Sequence, residues 1–168
     1  MIRPQRGFTL MELVIVLAII LVIAAVTIPS LIAMKIRANE ASALASIRAI
    51  QTAETSYEAA YPTEGYAGSL SVLADSESCR QSSTSACLLD EGLSSGTKAG
   101  YNFAVSAGNL VNGANTSYVA GAAPESYNRT GVRRYCSTEK SVIRLDANKE
   151  GSTNPPTTDE CVRFAAMR

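Results

Sequence analysis

Gly7-Phe8-Thr9-Leu10-Met11-Glu12-Leu13-Val14-Ile15-Val16 places a carboxylate five residues after a glycine, inside a run that is otherwise apolar. From Phe8 to Ile28 the only polar side chains are Thr9, Glu12 and Thr27, and Glu12 is the only charge between Arg6 and Lys35. A charge in hydrocarbon costs roughly 2.5–3.5 kcal/mol on insertion scales, so such a residue has a partner and a task. The run is about 20 residues long, which is spanning length. A secretory signal has an apolar core of about 7–15 residues followed by its cleavage site. Here the order is reversed. The processing site, Gly7-Phe8, precedes the run, and a cut there leaves the apolar helix on the mature protein. Arg3 and Arg6 set the N-terminus on the cytoplasmic side, with the remainder outside the inner membrane.

The stretch Gly7-Phe8-Thr9-Leu10-Met11-Glu12-Leu13 resembles the type IV prepilin cleavage motif. The resemblance implies that a membrane aspartyl peptidase cuts after Gly7 and methylates Phe8. Glu12 then becomes the fifth mature residue and Pro29 falls at mature position 22, where pilins and major pseudopilins often carry proline. Arg37-Ala38-Asn39-Glu40-Ala41-Ser42-Ala43 and Tyr61-Pro62-Thr63 are also pilin-like, whereas the C-terminal half carries only a general likeness. The family implies assembly residues Glu12, Thr9 and Pro29. It further implies a life cycle that begins in the bacterial inner membrane, single-pass with a cytoplasmic N-terminus, and ends in an extracellular pilus. The partners would be further copies of the chain, the prepilin peptidase, an inner-membrane assembly platform and a secretin.

The chemistry is compatible with that reading. On a helix Phe8 and Glu12 lie about 6 Å apart along the axis. A new α-amino group on Phe8 can therefore neutralise its own Glu12, or that of an axially shifted neighbour. In a low-dielectric core a charge pair is strong and an unpaired charge is costly, so the exchange sets the stagger between subunits.

The helical pattern continues past Ile28. Pro29 removes a backbone donor and loosens or kinks the helix there; local melting during assembly is the alternative that the family implies. Beyond it Ile36, Ala43, Ile47, Ile50, Tyr57 and Tyr61 form an amphipathic stripe, while Lys35, Arg37, Glu40, Arg48, Glu54 and Glu58 lie mostly off it. Tyr61-Pro62 ends the helix, because a residue before proline avoids the α region. A helix from Phe8 to Tyr61 would be about 80 Å long.

Residues 62–99 read as a connecting region, with a short helical turn at Leu70, Val72 and Leu73 and with Leu88 to Leu93 covering a sheet edge. Strand signals follow. Tyr101, Phe103 and Val105 alternate with smaller or polar residues, Asn112-Gly113 is a hairpin turn, and Ser117–Ala122, Val132–Ser137 and Ser141–Asp146 supply three more strands. The fold class is α+β: a long N-terminal helix, its first half protruding and membrane-spanning, packed on an antiparallel sheet of about four strands with a disulfide-bounded C-terminal loop. The divisions are a leader at 1–7, a membrane or fibre-core helix at 8–29 and a head at 30–168. The head comprises an amphipathic helix at 30–61, the connection at 62–99, the sheet at 100–146 and the loop at 147–168, which Pro155-Pro156 makes stiff and non-helical.

The four cysteines are Cys79, Cys87, Cys136 and Cys161. In an exported chain they read as two disulfides, and Cys79–Cys87 with Cys136–Cys161 is favoured because neither loop threads the other. No pair has metal-site spacing and histidine is absent, which speaks against zinc or hydrolytic chemistry. No cofactor is expected. Asp146, Asn148 and Glu150 partly resemble the start of a calcium loop, but Thr157 stands where a bidentate glutamate belongs; a polar turn is the plainer reading, with Asp159 and Glu160 available to a looser site. Asn115-Thr116-Ser117 and Asn128-Arg129-Thr130 match a glycosylation triplet and read equally as turns. Fifteen basic residues balance fifteen acidic ones, and no nucleic-acid site is visible. The expected function is therefore a structural pilus subunit for adhesion, twitching motility or DNA uptake, not an enzyme. The alternative is a type II secretion pseudopilin, to which Tyr61-Pro62-Thr63-Glu64-Gly65 has some likeness. A single-span exported enzyme or binding protein is the remaining class.

Overall fold

The computed structural model describes residues 8–75 and 79–167. The leader with Arg3, Arg6 and the cut-site residue Gly7 lies outside them, as does part of the Ser-rich loop. Helix α1, Leu10–Ala60, runs through Pro29 and ends one residue before Tyr61-Pro62. The chain divides into two compact units, one ending at Lys35 and the other Ile36–Arg168. In the first, α1 is aliphatic on all sides and its large side chains are exposed, Leu10, Leu21 and Ile32 among them. A helix apolar all round is built for a non-aqueous surrounding rather than for one buried face.

In the second unit, after α1, come α2 (Leu70–Leu73), α3 (Glu91–Ser94), β1 (Thr97–Lys98), β2 (Tyr101–Val111), β3 (Ala114–Pro124), β4 (Arg134–Thr138), β5 (Arg144–Asp146), α4 (Thr158–Arg163) and β6 (Ala165–Ala166). The strands form one antiparallel sheet in chain order. The β2–β3 hairpin closes at Val111↔Ala114. Its turn residues Asn112 and Gly113 both have positive φ, 52° and 89°, as a type I′ turn requires. On one sheet face Tyr101, Phe103, Val105, Tyr118, Ala120, Ala122 and Tyr135 form a single core with Ala43, Ile47, Ile50, Ala53 and Tyr57 of α1. On the other face Val119, Cys136, Cys161 and Phe164 form a smaller one. Leu89 and Leu93 are buried where α3 leads into the edge strand β1.

Several expectations need correction. The sheet has six strands, not four. β1 and β6 are two-residue edge strands, too short to alternate visibly. The third strand begins at Arg134 rather than Val132, because the Val132 and Arg133 amides donate to Glu40 Oε1, both at 3.2 Å, and not to a neighbouring strand. The fourth strand is confined to Arg144–Asp146, because Ser141 turns the chain with φ 55° and bonds back to the Thr138 carbonyl. The tail is not simply a stiff loop. Thr157 and Glu160 form a capping box that starts α4 immediately after Pro155-Pro156; Thr-x-x-Glu is a helix start signal. Finally, Glu40 and Glu54 do not lie off the apolar stripe. Glu54 is fully buried and Glu40 is 9% exposed. Each fills a gap in the stripe three residues before a buried one, at Ala43 and Tyr57.

Candidate functional site

The first functional region is the start of α1. Thr9 is the N-cap and Glu12 the third helical residue, the arrangement in which a capping box closes. The Thr9 backbone N–H and hydroxyl donate to Glu12 Oε2 at 3.3 and 3.0 Å, and the Glu12 amide donates to Thr9 Oγ1 at 3.2 Å. The carboxylate is thus bound to its own helix start, where the positive end of the helix dipole also favours it. Phe8, one residue before the cap, is 80% exposed. The third polar side chain of the run is satisfied locally as well, since the Thr27 hydroxyl donates to the Ile23 carbonyl at 2.9 Å. Pro29 sits inside the helix. By length and composition α1 is apolar enough to cross a membrane.

In the second unit, Glu40 ties α1 to the chain ahead of β4. Besides the two amides it accepts, its Oε2 lies 3.6 Å from the Arg133 guanidinium, and the Asn39 side-chain amide donates to the Thr130 carbonyl at 2.8 Å. Glu54 Oε2 accepts the Ala67 amide at 2.9 Å, while its Oε1 is buried without a partner. Burial pushes the Glu54 carboxyl up to about 7, opposed by the Ala67 hydrogen bond. Sequence reading missed both glutamates as interior groups.

Arg134 is the third residue that sequence reading missed. It is buried at 6% exposure, forks to Asp146 Oδ2 at 2.9 and 3.1 Å and to Glu160 Oε1 at 3.0 Å, and lies over the Phe164 ring. Its side chain therefore joins β4, β5 and α4. Glu160 is held below the ordinary carboxylate value, chiefly by the Thr157 amide and further by Arg134 against an opposing burial cost.

Two of the calcium candidates, Asp146 and Glu150, line one cavity with Arg134 and Glu160. Asp146 is engaged by Arg134, and Asn148 is buried and closes its own turn, accepting the Ser152 amide at 2.8 Å and donating to the Ser152 carbonyl at 2.9 Å. Glu150 is exposed. Asp75, Cys79 and Cys87 lie close together, but both sulfurs belong to a disulfide and are not thiolate ligands. Cys79 is bonded to Cys87 and Cys136 to Cys161. The Asn115 side-chain amide donates to the Tyr66 carbonyl, and Asn128 is an exposed turn residue with φ 60°.

Comparison with known proteins concentrates on the N-terminal region. Residues 2–28 match the model of the prokaryotic N-terminal methylation motif. The chain is similar to a type IV major pilin protein, PilA, of Myxococcus xanthus, 44% identical over 53 residues, which is 32% of this chain and 24% of that one. It is also similar to a type IV wide pilus major component, PilA4, of Thermus thermophilus, 58% identical over 38 residues, 23% of this chain and 29% of that one. The matched region thus spans less than a third of the length of either relative. No solved structure matches the chain. With an N-terminal methylation motif, a long apolar helix continuing into a helix-on-sheet α+β head and a disulfide near the C-terminus, the chain is recognised as type IV pilin-like.

Proposed function

We propose that this chain is a structural subunit of a type IV pilus and not an enzyme. The observation that carries the reading is the Thr9–Glu12 clasp at the start of an exposed apolar helix. In this reading a prepilin peptidase cuts after Gly7 and Phe8 is methylated. The protein is held in the inner membrane with its N-terminus in the cytoplasm until an assembly platform and a secretin deliver it into an extracellular filament of like copies. Adhesion, twitching motility or DNA uptake would be the filament's work. Before assembly Thr9 supplies the two donors that make Glu12 tolerable in an apolar surrounding. The amine created on Phe8 adds a cation within about one helical turn. A neighbour's amine can then replace the Thr9 donors only where the axial stagger is correct, so the carboxylate rejects wrong registers.

The substitution Glu12→Val tests this. Membrane insertion is expected to remain intact, with the variant recovered in the envelope fraction starting at a methylated Phe8 by intact mass, while incorporation into filaments falls sharply in electron micrographs. Normal filaments built from the variant, or a wild-type protein that still begins at Met1, would refute the reading. A pseudopilin of a type II secretion system is the second reading, supported by the likeness of Tyr61-Pro62-Thr63-Glu64-Gly65; shed surface filaments distinguish a pilus from it.

A further inference from the structure

Segment 61–69 is clipped to the head at two points. On one side it pairs with the start of β3. The Tyr66 amide donates to the Asn115 carbonyl at 2.9 Å, the Asn115 amide donates to the Glu64 carbonyl at 2.8 Å, and the Asn115 side chain donates to the Tyr66 carbonyl at 2.9 Å. Gly65, with φ 75°, allows that approach, since a Cβ there would strike the Asn115 backbone. On the other side, among the described residues, the only hydrogen bond to α1 after the turn is the Ala67 amide to Glu54 Oε2. Ala67 and Glu54 are both fully buried, and Glu54 Oε1 has no partner.

The groups around Glu54 give it no cation. The titratable groups that feel its charge are Tyr57 on α1, Tyr66 on the segment and Tyr118 on β3, with Glu58, Glu64 and Glu139 beyond those tyrosines. Tyr66 packs on Tyr118 with ring centroids 4.9 Å apart, and the Tyr57 hydroxyl is spent on the Ser83 carbonyl. Among the described residues no lysine or arginine forms an ion pair with Glu54. A neutral carboxyl buries no charge here. A carboxylate is left with one donor and an orphaned oxygen, and the direct relief is to lift Ala67 and admit water.

We propose that Glu54 is a proton-operated latch, which holds the Tyr66–Ser69 turn on α1 when its carboxyl is neutral and releases it to solvent when the carboxyl ionises. Closed, Glu54 titrates at about 7; open, it returns to the ordinary 4.5. The closed form therefore binds more protons, and closure is strongest below 4.5 and weakens as pH rises through 7. With those two values, linkage makes opening about tenfold more frequent at pH 8 than at pH 6.

The test uses the full chain in detergent micelles. Hydrogen exchange of the Ala67 amide, corrected for intrinsic chemistry, is expected to lose about tenfold in protection from pH 6 to pH 8. Amides in the centre of β3 should not change. In Glu54→Gln, which is neutral at every pH, Ala67 protection should be flat. The side-chain carboxyl carbon of Glu54 in the wild type, followed by NMR, should titrate near neutrality, which keeps the proposal falsifiable should the variant fold poorly. Constant wild-type protection, a pH-dependent Glu54→Gln, or a Glu54 titration at the ordinary carboxylate value would each overturn it.

Discussion

Replacing Cys136 and Cys161 together by alanine should cost the head more than removing any other single link between the tail and the sheet. The bond joins β4 to α4 across a sequence separation of 25, against 8 for Cys79–Cys87. Loop-closure entropy then gives about 3.5 kcal/mol for the larger loop and about 2.5 kcal/mol for the smaller at 25 °C. Cys136 and Cys161 are fully buried and pack with Val119 and Phe164, so removing their sulfurs adds a packing loss to the first figure. For a unit running from Ile36 to Arg168, unfolding entropy of about 2.1 cal/mol/K per residue turns these into Tm losses of about 12 °C and about 9 °C. The chain has seven tyrosines and no tryptophan. Near-ultraviolet circular dichroism of the full chain in micelles therefore reports the head, where Tyr57, Tyr101, Tyr118 and Tyr135 are buried. Equal losses for the two pairs, or the reverse order, would refute the reasoning, because both loop size and burial favour the Cys136–Cys161 bond.

Two further outcomes follow from the back of the sheet. Glu160 is held below the ordinary carboxylate value by the Thr157 amide first and by Arg134; a lowered folded-state value contributes stability above 4.5 that is lost as pH falls through it. Thermal melts should therefore show wild type more stable than Glu160→Gln at pH 6, with the gap closing toward pH 3; a gap that persists at pH 3 would show that the charge is not responsible. Gly121→Ala on β3 puts a Cβ 2.9 Å from the Pro156 carbonyl oxygen and 3.0 Å from its ring, so it should cost about 1–3 kcal/mol by overpacking, read by urea unfolding, with an unchanged stability sinking the claim that the tail presses on the sheet there.

What was legible in the sequence was whatever a short window contains. The apolar run with its one acid, the Asn112-Gly113 turn and the alternation of Tyr101, Phe103 and Val105 each announce their structure locally, and the structure has a long helix, a hairpin and an inward face at those places. In the tail Pro155-Pro156 argues against a helix, yet Thr157-x-x-Glu160 starts one. Proline forbids a helix only behind itself, and a capping box two residues on is free to start one. The same Thr-x-x-Glu pattern stands at Thr9 and Glu12, where Glu12 is at once the charge in the apolar run and a capping residue. Two-residue strands such as β6 leave no periodic trace at all and exist because β5 offers a ladder to pair with.

The interior glutamates show where the local signal ends. The apolar stripe on α1 skips from Ile36 to Ala43 and from Ile50 to Tyr57, and each skip of seven has one glutamate at the missing four-then-three step, Glu40 and Glu54. The period therefore marks both as inward-facing, and burial bears this out. What the period cannot supply is the identity of the donors. Glu40 meets two amides and a guanidinium from residues more than ninety positions away. Glu54 accepts one amide thirteen residues on, and among the described residues its other oxygen has no hydrogen-bond partner. Equivalent positions on one helix face thus acquire opposite characters, a fastened anion and a site that prefers a proton, and the difference is made entirely by which backbone the fold carries past each carboxyl.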